Sequence, residues 1–335
     1  MDGTGDAKVK APQDRLAEWL ADDMLAVNRL IRARMASEHA PRIPEVTAHL
    51  IEAGGKRLRP LLTLAAARML GYQGRDHIKL AATVEFIHTA TLLHDDVVDE
   101  SQRRRGRPTA NLLWDNKSSV LVGDYLFSRS FQLMVETGNL RVLDILANAS
   151  ATIAEGEVLQ LTAARDLRTD ERLYLQVVRG KTAALFSAAT EVGGVIAGAP
   201  PDQVRALFDY GDALGIAFQI VDDVLDYGGA ASVIGKNPGD DFRERKVTLP
   251  VIRAVAAASP QERAFWERVI EAGDQREGDL AQAMAILQGH GAIAAAHAVA
   301  ADWAGQAKAA LCNLPASDLR DTLSELADFV VTRAS

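Results

Sequence analysis

Apolar residues recur at helical spacing almost from the start of the chain. Leu16, Leu20, Met24, Leu25, Val27, Leu30 and Ile31 follow the 3.6-residue period, which predicts a helix from Arg15 to about Met35. Pro41 and Pro44 interrupt the pattern, and a second helix is expected from near Glu45 to the Gly54-Gly55 pair. Leu61 to Leu70 reads as a buried Ala/Leu helix stopped by Gly71, and Lys79 to Glu100 as a long apolar helix. Amphipathic segments follow at 117–135 and 142–165. The helical pattern continues through 171–197 and 202–227, where Gly228-Gly229 closes it, and helical segments fill the remainder to Ser335. No period-two alternation and no repeat of 20–50 residues appears. The class expected is all-α: a single large antiparallel helical bundle around a central cavity. The whole chain, 1–335, would be one domain, with residues 1 to about 12 disordered.

Composition narrows this only at a few points. The 335 residues are 48% hydrophobic and 24% charged, enough for a large core, and no Pro/Gly/Ser-rich linker divides them. A net charge of −8 argues against nucleic acid as a partner. The single Cys312 has no internal disulfide partner, in keeping with a reducing compartment. No apolar run approaches the roughly 18 residues of a membrane span, and Met1 to Asp6 has no signal-peptide pattern. A cytoplasmic protein is expected.

The chemistry is concentrated in two aspartate clusters. Asp95, Asp96 and Asp99 lie in an apolar run at the end of one predicted helix, and Asp222, Asp223 and Asp226 repeat the spacing far downstream. On a helix the first and last of each set are i,i+4 neighbours on one face. A lone DDxxD is most often a solvated helix surface. Here both copies stand among Val, Leu and Ile, where a carboxylate without a partner is costly and a metal relieves the cost. Oxygen-only ligands at this density suit Mg2+, which binds through carboxylates plus substrate phosphates. An EF-hand is excluded, because neither cluster has that loop's alternating ligands and central glycine. Two such clusters imply two carboxylate walls facing one cavity.

Basic residues accompany them. Gly55-Lys56-Arg57-Leu58-Arg59-Pro60 combines close backbone approach with three cations, a pattern suited to a diphosphate. Arg103 to Thr109 is expected to be a loop closed by Gly106 and Pro108, its arginines placed either to pair with the acids or to bind a diphosphate. From Gly228 to about Lys246 a Gly-rich basic loop reads as a lid over an anionic ligand. His88 precedes Asp95 by two helical turns and so faces the same side. His94 reads as an ordinary core histidine.

Taken in order, Gly54 to Pro60, Asp95 to Asp99 with Arg104-Arg105-Gly106, Gly180-Lys181-Thr182, Phe218 to Asp226, and Gly235-Lys236 with Lys246 to Pro250 resemble the motif set of the trans-isoprenyl diphosphate synthases, or polyprenyl synthetases. Thr89 to Leu93 and Val122-Gly123-Asp124 look most like its long-chain, quinone-tail members, the octaprenyl and decaprenyl diphosphate synthases. The resemblance implies repeated head-to-tail condensation of isopentenyl diphosphate onto an allylic diphosphate such as farnesyl diphosphate. It implies that Asp95, Asp99, Asp222 and Asp226 hold Mg2+, assisted by Asp96 and Asp223. Arg104, Lys181, Lys236 and Lys246 would contact the allylic diphosphate. Lys56, Arg59, His88 and Arg105, with Arg57 nearby, would bind isopentenyl diphosphate. Thr182 and Gln219 would face the allylic cation. Family members are usually homodimers, and the same is expected here, with room for a peripheral membrane contact at product release.

In family members that stop early, a bulky aromatic one turn before the first cluster floors the cavity. Ala90 and Thr91 stand there instead, so the expected product is long, C40 to C50, with decaprenyl diphosphate for a ubiquinone side chain favoured. Phe86 or Phe127 is the alternative floor, giving a shorter farnesyl- or geranylgeranyl-type product. Three rivals are weaker. A terpene cyclase has no need of the Lys56/Arg57 site, a non-catalytic subunit tends to lose aspartates, and a helical scaffold leaves both clusters unexplained.

Overall fold

The computed structural model of the chain describes residues 10–52, 57–104, 106–228 and 239–333, and among them helix dominates. The first predicted helix is two: α1 (Pro12–Trp19) and α2 (Ala21–Met35), broken at Leu20, whose φ of −106° and ψ of 19° leave the helical region. The pattern carries across the break because Leu16, Leu20, Val27 and Ile31 all enter the same core. Then come α3 (Arg42–Glu52), α4 (Leu58–Met69) and α5 (Asp76–Val98). α3 starts earlier than expected because Pro44 lies in its first turn, where a missing N–H costs nothing.

The Arg103 to Thr109 segment contains a two-stranded antiparallel hairpin, β1 (Arg103–Arg104) with β2 (Arg107–Pro108), turned by Gly106 at φ 76°. After it come α6 (Ala110–Leu113), α7 (Asn116–Val135), α8 (Leu140–Ala163) and α9 (Glu171–Val178). α9 runs through a π-helical turn at Arg179–Ala183 into α10 (Ala184–Ile196), and α11 (Pro201–Gly228) carries the second cluster. The remainder is helical as expected: α12 (Asp240–Arg243), α13 (Leu249–Ala257), α14 (Pro260–Trp266), α15 (Asp279–Gly289), α16 (Ala292–Leu311) and α17 (Asp318–Thr332).

α5 and α11 organise the packing. α5 lies against α2, α4, α7 and α10, and α11 against α10, α16 and α17. Most of α5 faces protein, from Leu80 through Phe86 and Ile87 to Leu93. Small residues let the central helices close in. A Cβ added at Gly211 would stand 2.5 Å from the Ser187 Cα, and one at Gly215 would stand 2.6 Å from the Ala183 Cα. The ends of α5 and α11, where the aspartates lie, are thereby held on one buried frame. No single helix among the described residues is long and apolar enough to cross a membrane.

Candidate active site

The first aspartates stand where α5 ends. Asp95 and Asp99 are half-buried, and Asp96 is wholly buried. Arg104 on the hairpin turns back onto Asp96 Oδ1 through Nε at 2.9 Å and Nη2 at 2.8 Å. Burial raises the Asp96 carboxyl above the usual carboxylate range, against the pull of Arg104. The hairpin is anchored to the helix end as well. Asn111 Nδ2 donates to the Asp96 carbonyl at 3.1 Å, and Thr109 Oγ1 donates to the Ser101 carbonyl at 2.6 Å. Of the two roles open to the loop arginines, Arg104 takes the pairing one in this structure.

The second cluster divides the same way. Asp222 is exposed, while Asp223 and Asp226 are buried. Asp223 is the hub of a polar chain. It accepts from the Tyr174 hydroxyl at 2.6 Å and from Gln219 Nε2 at 2.8 Å, while Thr182 Oγ1 donates to Gln219 Oε1 at 2.8 Å. Burial pushes its carboxyl up to about 7 despite those donors. Asp226 holds the chain that returns after the loop. Its oxygens accept from the Asp240 and Asp241 backbone N–H groups at 3.2 and 2.9 Å.

Two lysines reach the first wall. Lys181, on the π-helical turn, lies 3.7 Å from Asp95 Oδ2 and donates to Glu157 Oε2 at 2.8 Å. Lys246 lies 3.7 Å from Asp99 Oδ2 and pairs with Glu244. Burial works against its charge, but Asp241, Asp99 and Glu244 outweigh it and raise the ammonium's pKa. Glu157 is half-buried, and burial lifts its carboxyl to about 7 even beside Lys181.

A cationic corner lies two turns back along α5. Arg59 Nη1 and His88 Nε2 are 3.3 Å apart, and Arg57 pairs with Glu85. The Arg59 guanidinium stands 4.5 Å over the Phe186 ring, which packs on Phe218 at 5.4 Å, and the Arg333 guanidinium lies 4.1 Å from the Phe218 ring. The proposed sequence partners Lys56, Arg105 and Lys236, and the middle of the expected lid, lie outside the described residues. Ala90 is fully buried, whereas Thr91 is half-buried with its hydroxyl on the His88 carbonyl at 2.8 Å. Phe86 is closed into the core, and Phe127 stacks on His94 at 6.0 Å.

Backbone geometry marks the same region. Of the four described non-glycine residues with positive φ, Arg57 (47°), Glu100 (51°) and Arg245 (62°) adjoin site residues, and such strain gathers at functional sites. The π-helical turn carrying Lys181 and Thr182 is a second marker of that kind. Glu157, Tyr174, Glu85 and Arg333 were not singled out by sequence reasoning. Only Glu157 had a local signal, since it follows Gly156, the sort of small residue that permits a close helix crossing.

Among the described residues no three acidic or imidazole groups converge tightly enough to enclose a metal by themselves. The donor set is all carboxylate, ammonium groups stand at both half-buried aspartates, and two carboxylate oxygens beside the wall, Asp96 Oδ2 and Glu157 Oε1, are buried without a hydrogen-bond partner. A divalent cation with its waters fits these residues.

Comparison with known proteins agrees. Residues 40–287 match the polyprenyl synthetase family model. The octaprenyl diphosphate synthase of Escherichia coli is 42% identical over 96% of this chain and 98% of its own. The crystal structure of a decaprenyl diphosphate synthase from Rhodobacter capsulatus superposes with a TM-score of 0.94 at 73% identity, covering 97% of this chain and all of that one. A polyprenyl synthase from Caulobacter crescentus, solved with calcium and isoprenyl diphosphate, gives 0.93 at 54% identity over 98% of this chain and 100% of its own. The chain belongs to the polyprenyl synthetase family, with the all-α fold and prenyltransferase activity of that family.

Proposed function

We propose that the chain, folded as one domain, is an all-trans, long-chain polyprenyl diphosphate synthase that uses Mg2+ and makes a C40 to C50 product, decaprenyl diphosphate foremost, for a quinone tail such as that of ubiquinone. The observation that carries it is that Lys181 and Lys246 stand at the Asp95/Asp99 wall while Thr182, next to Lys181, reaches Asp223 of the second cluster through Gln219, with the Arg59/His88 corner on the same buried frame.

Asp95, Asp99, Asp226 and the exposed Asp222 would hold the cation, while Asp96 and Asp223 would brace the walls from behind. When bound, Mg2+ neutralises charge on the departing diphosphate. Lys181, Lys246 and Lys236 would hold that diphosphate, with Arg104 joining them by turning from Asp96, and favour cleavage of the allylic C–O bond, because fixed cations stabilise the negative charge that develops. Lys56, Arg57, Arg59, Arg105 and His88 would hold isopentenyl diphosphate two turns along α5, with its double bond toward the allylic carbon. Thr182 and Gln219, whose oxygens lie 2.8 Å apart, would face the allylic cation, and the surrounding apolar helices would keep water from it. The new C–C bond forms as the isopentenyl double bond attacks, and the proton then lost passes to the released diphosphate.

Thr91 lies between His88 and Asp95 on the same face of α5 and is small, leaving room for the growing chain. Each isoprene unit advances it by close to one helical turn, about 5.4 Å. The test is the product profile of the purified protein with farnesyl diphosphate, excess isopentenyl diphosphate and Mg2+. Products of C40 to C50 are expected, shortened in Thr91→Phe. A wild-type profile ending at C15 to C20 would refute the long-chain reading and leave the chemistry intact.

A further inference from the structure

Glu157 is outside both aspartate clusters and outside the cationic motifs, yet the fold delivers it into the site. α8 crosses the π-helical turn at two glycines so closely that a Cβ at Gly156 would stand 2.6 Å from the Lys181 nitrogen. That contact sets the residue after Gly156 directly against Lys181. One carboxylate oxygen, Oε2, accepts the Lys181 ammonium at 2.8 Å, and the same ammonium stands 3.7 Å from Asp95 Oδ2. The Glu157 and Asp95 oxygens are therefore at most about 6.5 Å apart, the length of those two contacts placed end to end. The other oxygen, Oε1, is buried and has no hydrogen-bond partner.

A buried carboxylate oxygen without a donor is costly, and a purely structural ion pair has no use for it. A separation of this size is spanned by one water bound to a cation, and Mg2+ characteristically keeps such waters. We propose that Glu157 is a positioning residue of the allylic-diphosphate site: through Oε2 it holds the Lys181 ammonium beside Asp95, and through Oε1 it accepts from water on the cation held by Asp95 and Asp99. This rests on the reading of those two aspartates as the cation wall.

The test is calorimetric titration of inorganic diphosphate into the full chain at fixed Mg2+, for wild type, Glu157→Gln and Glu157→Asp, with steady-state kinetics alongside. Glu157→Gln keeps shape and an acceptor for Lys181 but removes the charge. It should weaken Mg2+-dependent diphosphate binding by about 10- to 100-fold, the usual effect of losing an outer partner of a metal site. The KM for the allylic diphosphate should rise while that for isopentenyl diphosphate stays unchanged, and Glu157→Asp should recover part of the loss. Wild-type binding by a folded Glu157→Gln variant would overturn the proposal, as would failure of both variants to fold, which would make Glu157 a scaffold group. A wild-type protein that elongates nothing would instead strike at the functional reading itself.

Discussion

The burial of individual carboxylates gives the site a pH dependence of defined sign. Burial holds Glu157 and Asp223 protonated up to about 7 in the fold, against 4.5 and 3.8 for the same groups unperturbed. The unfolded chain has released both protons by about pH 5. Between about pH 5 and 7 the fold therefore binds more protons than the unfolded chain, so stability falls as pH rises and levels off above 7. Thermal melts in a chelating buffer should show that decline, and Glu157→Gln, which cannot titrate, should show a smaller one. A melting temperature that climbs from pH 5 to 7 and climbs equally in the variant would contradict this. The aspartates themselves were legible in the sequence, because residue type and spacing carry their chemistry. Their division of labour was not. Asp95 and Asp96 are adjacent in the chain, but a helix turns them about 100° apart, so one is half open and the other sealed against Arg104. The roles of Glu157 and Tyr174 were hidden for another reason, since their partners Lys181 and Asp223 are distant in sequence and meet only through packing; Gly156 hinted at a close crossing but not at what Glu157 meets.

Among the elements, the long helices were readable because each buries an apolar face at constant period. Features shorter than the period were not. The hairpin at 103–108 has two residues per strand, too few for alternation, and the π-helical turn adds one residue to a helix without disturbing its hydrophobic pattern. That turn matters most for the chemistry, since it presents Lys181 and Thr182 side by side to different partners, Glu157 and Gln219. Its position depends on the Gly156–Gly180 crossing, where a Cβ at Gly180 would stand 2.9 Å from the Gly156 Cα. Both neighbours there are backbone, so neither can move aside cheaply. Gly156→Ala and Gly180→Ala should each cost about 1–3 kcal/mol in urea unfolding, as overpacking usually does. A displacement near 1 Å can lower kcat/KM by about 100-fold, so activity should fall more than stability alone would account for. Alanine variants with wild-type kinetics would show that the crossing does not set the turn.

For the whole molecule, the apolar surface left uncovered points to an assembly. Leu121, Phe131 and Val135 on α7 and Leu140, Val158 and Leu161 on α8 are between 44% and 81% exposed, while α1, α2, α5 and α6 leave open only Trp19, Leu25, Val98, Leu112 and Leu113 among the described residues. The two helices touch each other, the spacing puts the three residues of each on one helix face, and concentrations of exposed apolar residues mark interfaces. A second copy of the same chain is the simplest cover, because a two-fold interface needs only one self-complementary face. The same helices contact the site, α7 through α5 and α8 through the π-helical turn. Pairing two copies would therefore brace the Asp95 wall and the Lys181 turn from outside. Sedimentation of the purified protein should give twice the chain mass. Leu121→Glu combined with Leu140→Glu, which puts charge on the exposed faces of α7 and α8 at residues given no part in the site, should shift the protein to one chain mass and lower its rate. A wild-type protein that sediments as a monomer at the concentrations where it elongates would refute the homodimer, and a membrane surface at which the product is discharged would then be the cover to test.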